Sequence, residues 1–276
     1  MRVNGGDGDL RMIQPIEFSP TPAEGSQGSH LVQFYGADPS ALVHNVAGFI
    51  EEGLEAGDSV LVIATPAHSD AFMSALGANR SPRDTRLRRL VFLDAQTTLD
   101  QFMCEGQPDW RRFERVVGGA VRGMRRSKRS GGLRAYGEMV GILWSGGRTE
   151  AALRLEKFWN ILLSGDDFRL FCGYPIDIFD AEFCGQQLHD VLCAHTHVIP
   201  DRTDLEAALD RAIGDVLGMR TEQSRSDLEN ALNSALAATR SPEAKILWLR
   251  DHHPQSASDI LARAREGQRQ VQSPAS

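Results

Sequence analysis

The sequence lacks the features that mark secreted, membrane-spanning and nucleic-acid-binding proteins. Its 276 residues include only four cysteines, which do not form a dense disulfide framework. No apolar stretch is long enough to cross a membrane, and the first residues have no basic segment followed by an apolar one. The net charge of −7 argues against direct nucleic-acid binding by the chain as a whole. We therefore expect a cytoplasmic protein with reduced cysteines and no membrane partner.

The motifs of two enzyme classes are also missing. Nucleotide hydrolysis needs a glycine-rich loop ending in Gly-Lys-Ser or Gly-Lys-Thr, and the sequence has none. Gly-x-Ser-x-Gly is absent, and the apolar neighbours of Cys172 indicate an inert core thiol. The basic run Arg111–Arg129 contains a single aromatic residue, Phe113, which does not make an interleaved pattern for base stacking, and the run is typical of a solvated helix face. We therefore expect no catalytic residues.

Short apolar runs alternate with helix-like segments over residues 29–200, and this alternation is the most informative feature present. The runs are His30–Tyr35, Ser59–Ala64, Leu90–Leu93, Leu133–Tyr136 and Phe168–Cys172, with His195–Ile199 as a short last strand. Strands that alternate with helices predict a parallel sheet covered by helices on both faces. In such sheets, ligands bind beyond the carboxyl ends of the strands.

The composition divides the chain into three parts. Residues 1–28 are rich in Gly, Ser and Pro and predict a disordered arm. Residues 29–200 form the predicted α/β domain. Beyond Pro200 aromatic residues nearly vanish, and leucine stripes, one of them Leu228, Leu232 and Leu236, predict a helical appendage over residues 201–276. The sequence leaves open whether this appendage packs on the α/β domain or on another copy, as in a homodimer.

Polar or reactive side chains at the predicted strand ends form the candidate ligand site. They are Tyr35, Asp38, Thr65, His68, Asp94, Glu138, Cys172 and Tyr174, with Arg134 as a neighbour of Glu138. The strand-end rule predicts that they converge in a small polar-rimmed pocket. For Asp38, Thr65 and Asp94, helix capping is the favoured interpretation.

Glu138 differs from these caps because it follows an apolar strand directly. A carboxylate there must find a partner or shift its pKa. Arg134 lies four residues earlier and shares a face with Glu138 if the strand continues, so the two could pair. Structural pairing and ligand binding both stay open for Glu138.

Cys193, His195 and His197 are the residues considered for a metal site. Alternation on a strand would place all three on one face, and their types are compatible with zinc. Their spacing is not that of a structural zinc motif, so hydrogen-bonded histidines and a buried cysteine are the favoured interpretation. We therefore expect no cofactor, and we interpret His30 as structural because it opens the first strand.

Several segments in a fixed order resemble one family. They read HLVQFYG, SVLVIATPAH, LVFLDAQTTLDQFM, RAYGEMVGILW, ALRLEKFWNIL, FRLFCGYP and HDVLCAHTHVIP. Over about residues 29–200 the chain resembles the MEDS domain, the methanogen/methylotroph DcmR sensory domain. The resemblance implies a three-layer fold of RecA/KaiC-like (Rossmann-like) type and a sensory role beside histidine kinases or transcription regulators. It also implies small hydrocarbon derivatives as the ligand class.

The favoured hypothesis is a non-enzymatic sensory protein that binds a small molecule of unspecified identity and regulates a signalling partner. One alternative is a degenerate RecA-like module that acts by oligomerisation without a ligand. A nucleotide-binding protein, or an enzyme that uses Glu138 as an acid–base group, is a third hypothesis with less support.

Overall fold

A computed structural model describes most of the chain after the predicted arm. The described residues are 28–77, 85–126, 131–200, 205–219, 222, 223, 226, 230 and 241–272, with side chains described up to residue 267. The arm predicted over residues 1–28, apart from its last residue, lies outside these ranges. The leucine stripe at Leu228, Leu232 and Leu236 also lies outside them.

A six-stranded parallel sheet forms the centre of the molecule. In chain order the strands are β1 (Ser29–Phe34), β2 (Ser59–Ala64), β3 (Leu90–Asp94), β4 (Met103–Cys104), β5 (Gln107–Pro108), β6 (Leu133–Gly137), β7 (Arg169–Tyr174) and β8 (His197–Val198). The sheet has the order β3-β2-β6-β7-β1-β8, and β4 pairs with β5 in a separate antiparallel ribbon. Each predicted apolar run contributes a strand of this sheet.

Helices follow each long strand. They are α1 (Ser40–Ala56), α2 (Pro66–Gly77), a 3₁₀ turn (Thr85–Arg89), α3 (Ala95–Asp100), α4 (Trp110–Phe113), a π turn (Glu114–Gly118), α5 (Gly119–Arg126), α6 (Met139–Ser145), α7 (Thr149–Gly165), α8 (Gln186–Ala194), α9 (Leu205–Gly218), α10 (Pro242–His252) and α11 (Pro254–Gln272). None of the helices in the described ranges is both long and apolar enough to cross a bilayer.

Alternating strand residues face two different helix layers. On β2, Val60 and Val62 face α1 and α2, whereas Leu61 and Ile63 face the larger core that includes α7 and α8. We call these the α1–α2 face and the α7–α8 face. Both faces bury apolar side chains, and β2 is buried throughout. The predicted fold class, a three-layer α/β sandwich with a mostly parallel sheet followed by helices, is confirmed.

The C-terminal helices pack on the α7–α8 face. Ile246 of α10 and Ile260 of α11 are fully buried in the same apolar core as β1 and β7. Polar contacts reinforce this packing, because His189 Nε2 of α8 lies 2.7 Å from an Asp251 carboxylate oxygen of α10. The described part of the predicted appendage therefore packs against the α/β domain of its own chain.

Candidate functional site

The predicted site residues do not converge on one pocket, because the sheet separates them. Tyr35, Thr65, His68 and Glu138 lie at the carboxyl end of the α1–α2 face, and Cys172 and Tyr174 lie on the α7–α8 face. The other three residues bond to groups outside the two clusters. Arg134 pairs with Asp58, and Asp38 and Asp94 accept hydrogen bonds from nearby backbone amides.

Glu138 is the centre of the group on the α1–α2 face. Strand β6 ends at Gly137, and the Glu138 N–H still donates to the Ile63 carbonyl of β2 at 3.1 Å. The carboxylate accepts from the Thr65 N–H, from Tyr136 Oη at 3.3 Å and from His68 Nδ1 at 2.5 Å. We call Tyr35, Thr65, His68, Tyr136 and Glu138 the strand-end cluster.

Burial and hydrogen bonding define the electrostatics of the strand-end cluster. The Glu138 side chain is 3% exposed and that of His68 is 16% exposed. Three donors on one carboxylate compensate its desolvation, as a buried carboxylate requires. Burial, and then the charge of Glu138, raises the pKa of both Tyr35 and Tyr136. Both phenols therefore stay protonated and can donate hydrogen bonds near neutral pH.

Aromatic rings surround the ion pair. His68 lies edge-on to Tyr35 with ring centroids 5.7 Å apart, and it stacks on Phe72 at 5.7 Å. Gly173 of β7 makes room for Tyr136, because a Cβ there would lie 2.7 Å from Tyr136 Oη. The cluster thus combines a hydrogen-bonding ion pair with apolar ring surface.

The strand-end cluster lies where neighbouring strands send their helices to opposite faces. The helix after β2 covers the α1–α2 face, and the helices after β6 cover the α7–α8 face. Thr65 follows β2 and Glu138 follows β6, so they flank the gap between these two connections. Open α/β sheets bind ligands at such switch points.

The expected pairing of Arg134 with Glu138 is wrong. Arg134 Nε lies 3.1 Å from Asp58 Oδ2, and Arg134 Nη1 lies 3.2 Å from Glu52 Oε2. Arg134 and Glu138 do share a face, but four residues of strand span about 13 Å. Gly53 of α1 admits the Arg134 side chain, because a Cβ there would lie 2.8 Å from Arg134 Cδ. Arg134 therefore belongs to the amino-terminal end of the sheet.

The helix-capping interpretation is confirmed for Asp94 but not for Asp38, because the N-cap of α1 is Pro39 and has no side-chain capping hydrogen bond. Asp94 Oδ1 accepts from the Thr97 N–H at 2.7 Å as the N-cap of α3. Asp38 Oδ1 accepts from the Ser40 N–H at 3.0 Å in the turn before α1. Thr65 has two roles, because its Oγ1 accepts from the His68 N–H at 3.4 Å while its own N–H donates to Glu138.

A second polar group is buried on the α7–α8 face. His30 of β1, Glu156 of α7, Cys172 of β7 and His195 after α8 place one ligand-type atom each within 4.8 Å of one another. All four residues are buried, and we call them the buried cluster. Tyr174 contacts this cluster as well, because its Oη donates a hydrogen bond to Glu156 Oε1 at 2.7 Å.

Burial favours the uncharged form of each member of the buried cluster. It raises the pKa of Glu156 to about 8 and lowers the pKa of His30 to about 4. It also lowers the pKa of His195 and raises the pKa of Cys172. The cluster therefore presents neutral imidazoles, a thiol and a carboxyl group that resists ionisation when no cation lies between them.

The set Cys193, His195 and His197 does not converge. Cys193 and His197 are exposed, whereas His195 points into the core. The expected alternation fails because Cys193 belongs to α8 and only His197–Val198 form the strand. His195 instead joins His30, Glu156 and Cys172.

Sequence reasoning missed two members of the buried cluster. His30 was expected to be structural only, and Glu156 was not singled out. A signal for Glu156 exists, because it lies four residues after Ala152 and three before Trp159, inside the buried stripe of α7. A carboxylate at such a position needs partners, and Tyr174 provides one as a donor.

The fold and the strand-end cluster together define a class: a three-layer α/β domain with a polar site at the carboxyl edge of a parallel sheet. A family model described as MEDS, MEthanogen/methylotroph, DcmR Sensory domain, matches residues 29–196. The match covers more than half of the chain, and the protein therefore belongs to the MEDS family and carries a sensory domain. No curated protein matches the chain.

Proposed function

We propose that this protein is a non-enzymatic sensor that binds a small molecule at the strand-end cluster and regulates a signalling partner. The observation that carries the proposal is the Glu138–His68 pair, with atoms 2.5 Å apart at the switch point between β2 and β6. A buried carboxylate–imidazole hydrogen bond at a ligand-binding edge is a preorganised polar site. The sensory family of residues 29–196 supports the same function.

The chemistry of the cluster favours a small organic ligand with one polar group. His68 uses Nδ1 for Glu138, which leaves Nε2 as the ring atom for a ligand. The half-buried Tyr35 ring offers apolar surface beside His68, and the fully buried Phe72 supports the other face of the imidazole. Short-chain alcohols, aldehydes and amines have this combination, and it is consistent with the hydrocarbon derivatives that the family resemblance implies.

The state of Glu138 supports binding rather than catalysis. Its carboxylate accepts from three donors, so it is held in place and has little freedom to take a substrate proton. The strand-end cluster itself contains no thiol, and its two phenols have raised pKa values that make them poor nucleophiles.

A chain of contacts leads from the strand-end cluster to the C-terminal helices. Gly36 follows Tyr35 and packs against Asp177, because a Cβ there would lie 3.3 Å from Asp177 Oδ2. Asp177 Oδ2 in turn accepts from Arg265 Nη2 of α11 at 2.9 Å. We propose that a ligand beside Tyr35 shifts this turn and that α11 carries the change to a histidine kinase or transcription regulator.

Native mass spectrometry followed by a thermal-shift series tests ligand binding. The series uses short-chain alcohols, aldehydes, amines and halogenated alkanes on the wild type, Glu138→Gln and Asp94→Asn. We expect a retained mass or a ligand-dependent rise in Tm for the wild type and Asp94→Asn, and its loss in Glu138→Gln. Asp94→Asn is the matched control because Asp94 also lies at a strand end but caps α3.

Two results would overturn the proposal. An unliganded protein that shows no Tm shift with any compound, and that self-associates, would favour the oligomerising module without a ligand. Consumption of a compound that stops in Glu138→Gln would show an enzyme instead. Both results are measured on the same full-length samples.

Maleimide labelling of Cys184 tests the transmission step. Cys184 is exposed and lines, with Arg265, a groove of about 800 Å³ beside α11. We expect ligand to change the labelling rate of Cys184 in the wild type and in Arg263→Gln, but not in Arg265→Gln. Arg263 is the control because it lies on the same helix and contacts Met219 instead of Asp177.

A further inference from the structure

The buried cluster brings together four potential metal ligands from four separate elements. His30 comes from β1, Cys172 from the neighbouring strand β7, Glu156 from α7 and His195 from the end of α8. Imidazole nitrogen, thiolate sulfur and carboxylate oxygen are the ligand types of zinc and related divalent ions. This site lies on the α7–α8 face and does not depend on the function proposed for the strand-end cluster.

The outer nitrogens of both histidines already have acceptors. His30 Nδ1 lies 3.0 Å from Asn160 Oδ1 and 3.1 Å from the Ala194 carbonyl, and His195 Nδ1 lies 2.6 Å from the Val191 carbonyl. Acceptors at these positions assign the ring proton to Nδ1 and leave the Nε2 lone pairs directed at the centre of the cluster. Histidines that ligate metals are oriented by this kind of outer hydrogen bond.

The four donor atoms lie within 4.8 Å of one another, and several of their separations are close to the edges of a tetrahedral site. His30 Nε2 lies 3.3 Å from Cys172 Sγ and 3.4 Å from Glu156 Oε2. His195 Nε2 lies 3.5 Å from Glu156 Oε1, and Cys172 Sγ lies 3.9 Å from Glu156 Oε2. Ligand bonds of 2.0–2.3 Å around a tetrahedral ion give edges of about 3.3–3.8 Å. A single ion could therefore contact all four residues with small side-chain adjustments.

The protein's own groups satisfy this cluster only in part, although the Cys172 thiol can donate to His30 Nε2 at 3.3 Å. His195 Nε2 is buried and has no hydrogen-bond partner among the described residues. Glu156 receives the Tyr174 hydroxyl, but its nearest imidazole contacts at 3.4 and 3.5 Å involve nitrogens that offer lone pairs. The unpartnered lone pair of His195 Nε2 beside the Glu156 carboxyl group needs a cation or a shared proton between the two.

We propose that His30, Glu156, Cys172 and His195 form a closed, four-coordinate site for a divalent transition metal, with Zn²⁺ the ion that fits the donor set best. An ion there would join β1, β7, α7 and α8 from inside the α7–α8 face. The burial of all four residues favours a structural ion, because a catalytic zinc keeps an open position for water or substrate.

Metal analysis of the full-length, untagged protein is the first test. The wild type is purified without chelator, its zinc content is measured by plasma mass spectrometry, and the measurement is repeated after chelation and reloading with Zn²⁺. We expect about one equivalent per chain in the wild type and after reloading. The same measurement is made on Cys172→Ser and His195→Gln, with Cys193→Ser and His197→Gln as matched controls.

The controls are matched in chemistry and in position along the chain. Cys193 and His197 flank His195 but are exposed, so their substitution should leave the metal content unchanged. Cys172→Ser and His195→Gln each remove one ligand and should lose the ion. Asn160→Ala removes one of the two acceptors of His30 Nδ1 and leaves the Ala194 carbonyl, so we expect it to weaken metal affinity by no more than about 10-fold.

Cobalt substitution distinguishes this site from adventitious binding. Co²⁺ added to the chelated wild type should give the absorption of a tetrahedral ion together with a thiolate-to-cobalt charge-transfer band. The charge-transfer band should persist in Cys193→Ser and disappear in Cys172→Ser. Circular dichroism of each variant identifies any that has lost its fold.

The proposal fails if the folded wild type holds no stoichiometric metal and gives no thiolate band with Co²⁺. It also fails if metal content and the cobalt spectrum are the same in folded Cys172→Ser as in the wild type. If Cys172→Ser does not fold, His195→Gln decides, because an unchanged metal content in that folded variant would equally overturn the site.

Discussion

The two polar clusters lie on opposite faces of one sheet and solve the burial of a carboxylate in opposite ways. In the strand-end cluster, Glu138 accepts hydrogen bonds from a backbone amide, a phenol and an imidazole, and His68 keeps 16% of its side chain exposed. In the buried cluster, Glu156 faces the Nε2 atoms of two histidines, whose ring protons lie on Nδ1 and point away from it.

The difference teaches that hydrogen-bond donors of the protein compensate the buried carboxylate of Glu138, whereas the carboxylate of Glu156 needs the proposed cation. Glu138 has three hydrogen-bond donors, so its cluster needs no cation and can receive a ligand at the edge of the sheet. Glu156 has the phenol of Tyr174 as its close donor, so an ion or a proton must complete its surroundings. The first cluster is suited to exchange with solvent, and the second is suited to permanent occupancy.

The largest expected effect comes from breaking the compensation of Glu138. His68→Leu would leave the buried carboxylate without its imidazole, and we expect a loss of about 3 kcal/mol in the free energy of unfolding. Urea unfolding at neutral pH measures this loss. Adding Glu138→Gln should recover part of it, because a neutral amide needs no cationic partner.

A double-mutant cycle checks this account. The two substitutions should be strongly non-additive, since the atoms they alter lie 2.5 Å apart. Additive effects, or a loss below about 1 kcal/mol for His68→Leu, would show that Thr65 and Tyr136 suffice to hold the carboxylate.

A smaller effect is expected in the pH dependence of the chelated protein. The pKa of Glu156 is raised from 4.5 to about 8, so the folded state holds a proton that the unfolded state has released. This stability is complete below pH 4.5 and is lost as the pH rises through 8. The pKa of His30 is lowered from 6.5 to about 4, which removes stability as the pH falls between those values.

Of these two groups, therefore, Glu156 alone sets the slope of stability against pH between pH 6.5 and 8. The other groups that face it are Cys172, Tyr174 and His195; the first two ionise at higher pH, and His195 has a lowered pKa. Stability of the chelated wild type should fall by up to about 1.4 kcal/mol per pH unit. Denaturant midpoints measured across this range should lose the slope in Glu156→Gln.

Zinc should reverse this pH dependence, which sharpens the contrast between the clusters. Metal ligands bind in their deprotonated forms, so affinity rises with pH and adds stability where the chelated protein loses it. A zinc-loaded protein that follows the same falling curve as the chelated one would contradict a metal at Glu156.

The smallest effect is expected at Asp94, which belongs to neither cluster. Its carboxylate accepts from Thr97, and these hydrogen bonds lower its pKa at an exposed helix terminus. Asp94→Asn keeps a capping side chain, so Tm should change less than in either experiment above. Metal content and ligand response should be unchanged; a loss of either in Asp94→Asn would extend the corresponding cluster to this strand end.

Much of the fold could be predicted because its signals are local. Ser59–Ala64 is an uninterrupted apolar run between a Gly-Asp turn and Thr65-Pro66, and the strand has those same bounds. Asp94 combines a capping side chain with the end of an apolar run, and it is the N-cap of α3. Such features need only neighbouring residues, so no knowledge of tertiary structure is required.

The site could be predicted less completely because side-chain direction and distance are tertiary properties. The sequence predicts Cys172 and Glu138 at strand ends, yet Cys172 lies inside β7 and the two side chains face opposite helix layers. Arg134 lies on the correct face but too far along β6 to reach Glu138. The partners of Glu156 come from residues 30, 172 and 195, and no local pattern indicates that these meet.

The two-residue strand β8 gives the metal proposal a dynamic consequence. The Thr196 N–H donates to the His30 carbonyl, and the Ile199 N–H donates to the Val32 carbonyl, both at 2.7 Å. This edge is therefore a short strap that begins directly beside His195, and few hydrogen bonds oppose its local opening. Deuterium uptake at these two amides should slow when a metal ion bound by His195 holds this edge in place. The exchange rate at the sheet edge therefore reports whether the buried cluster contains a metal ion.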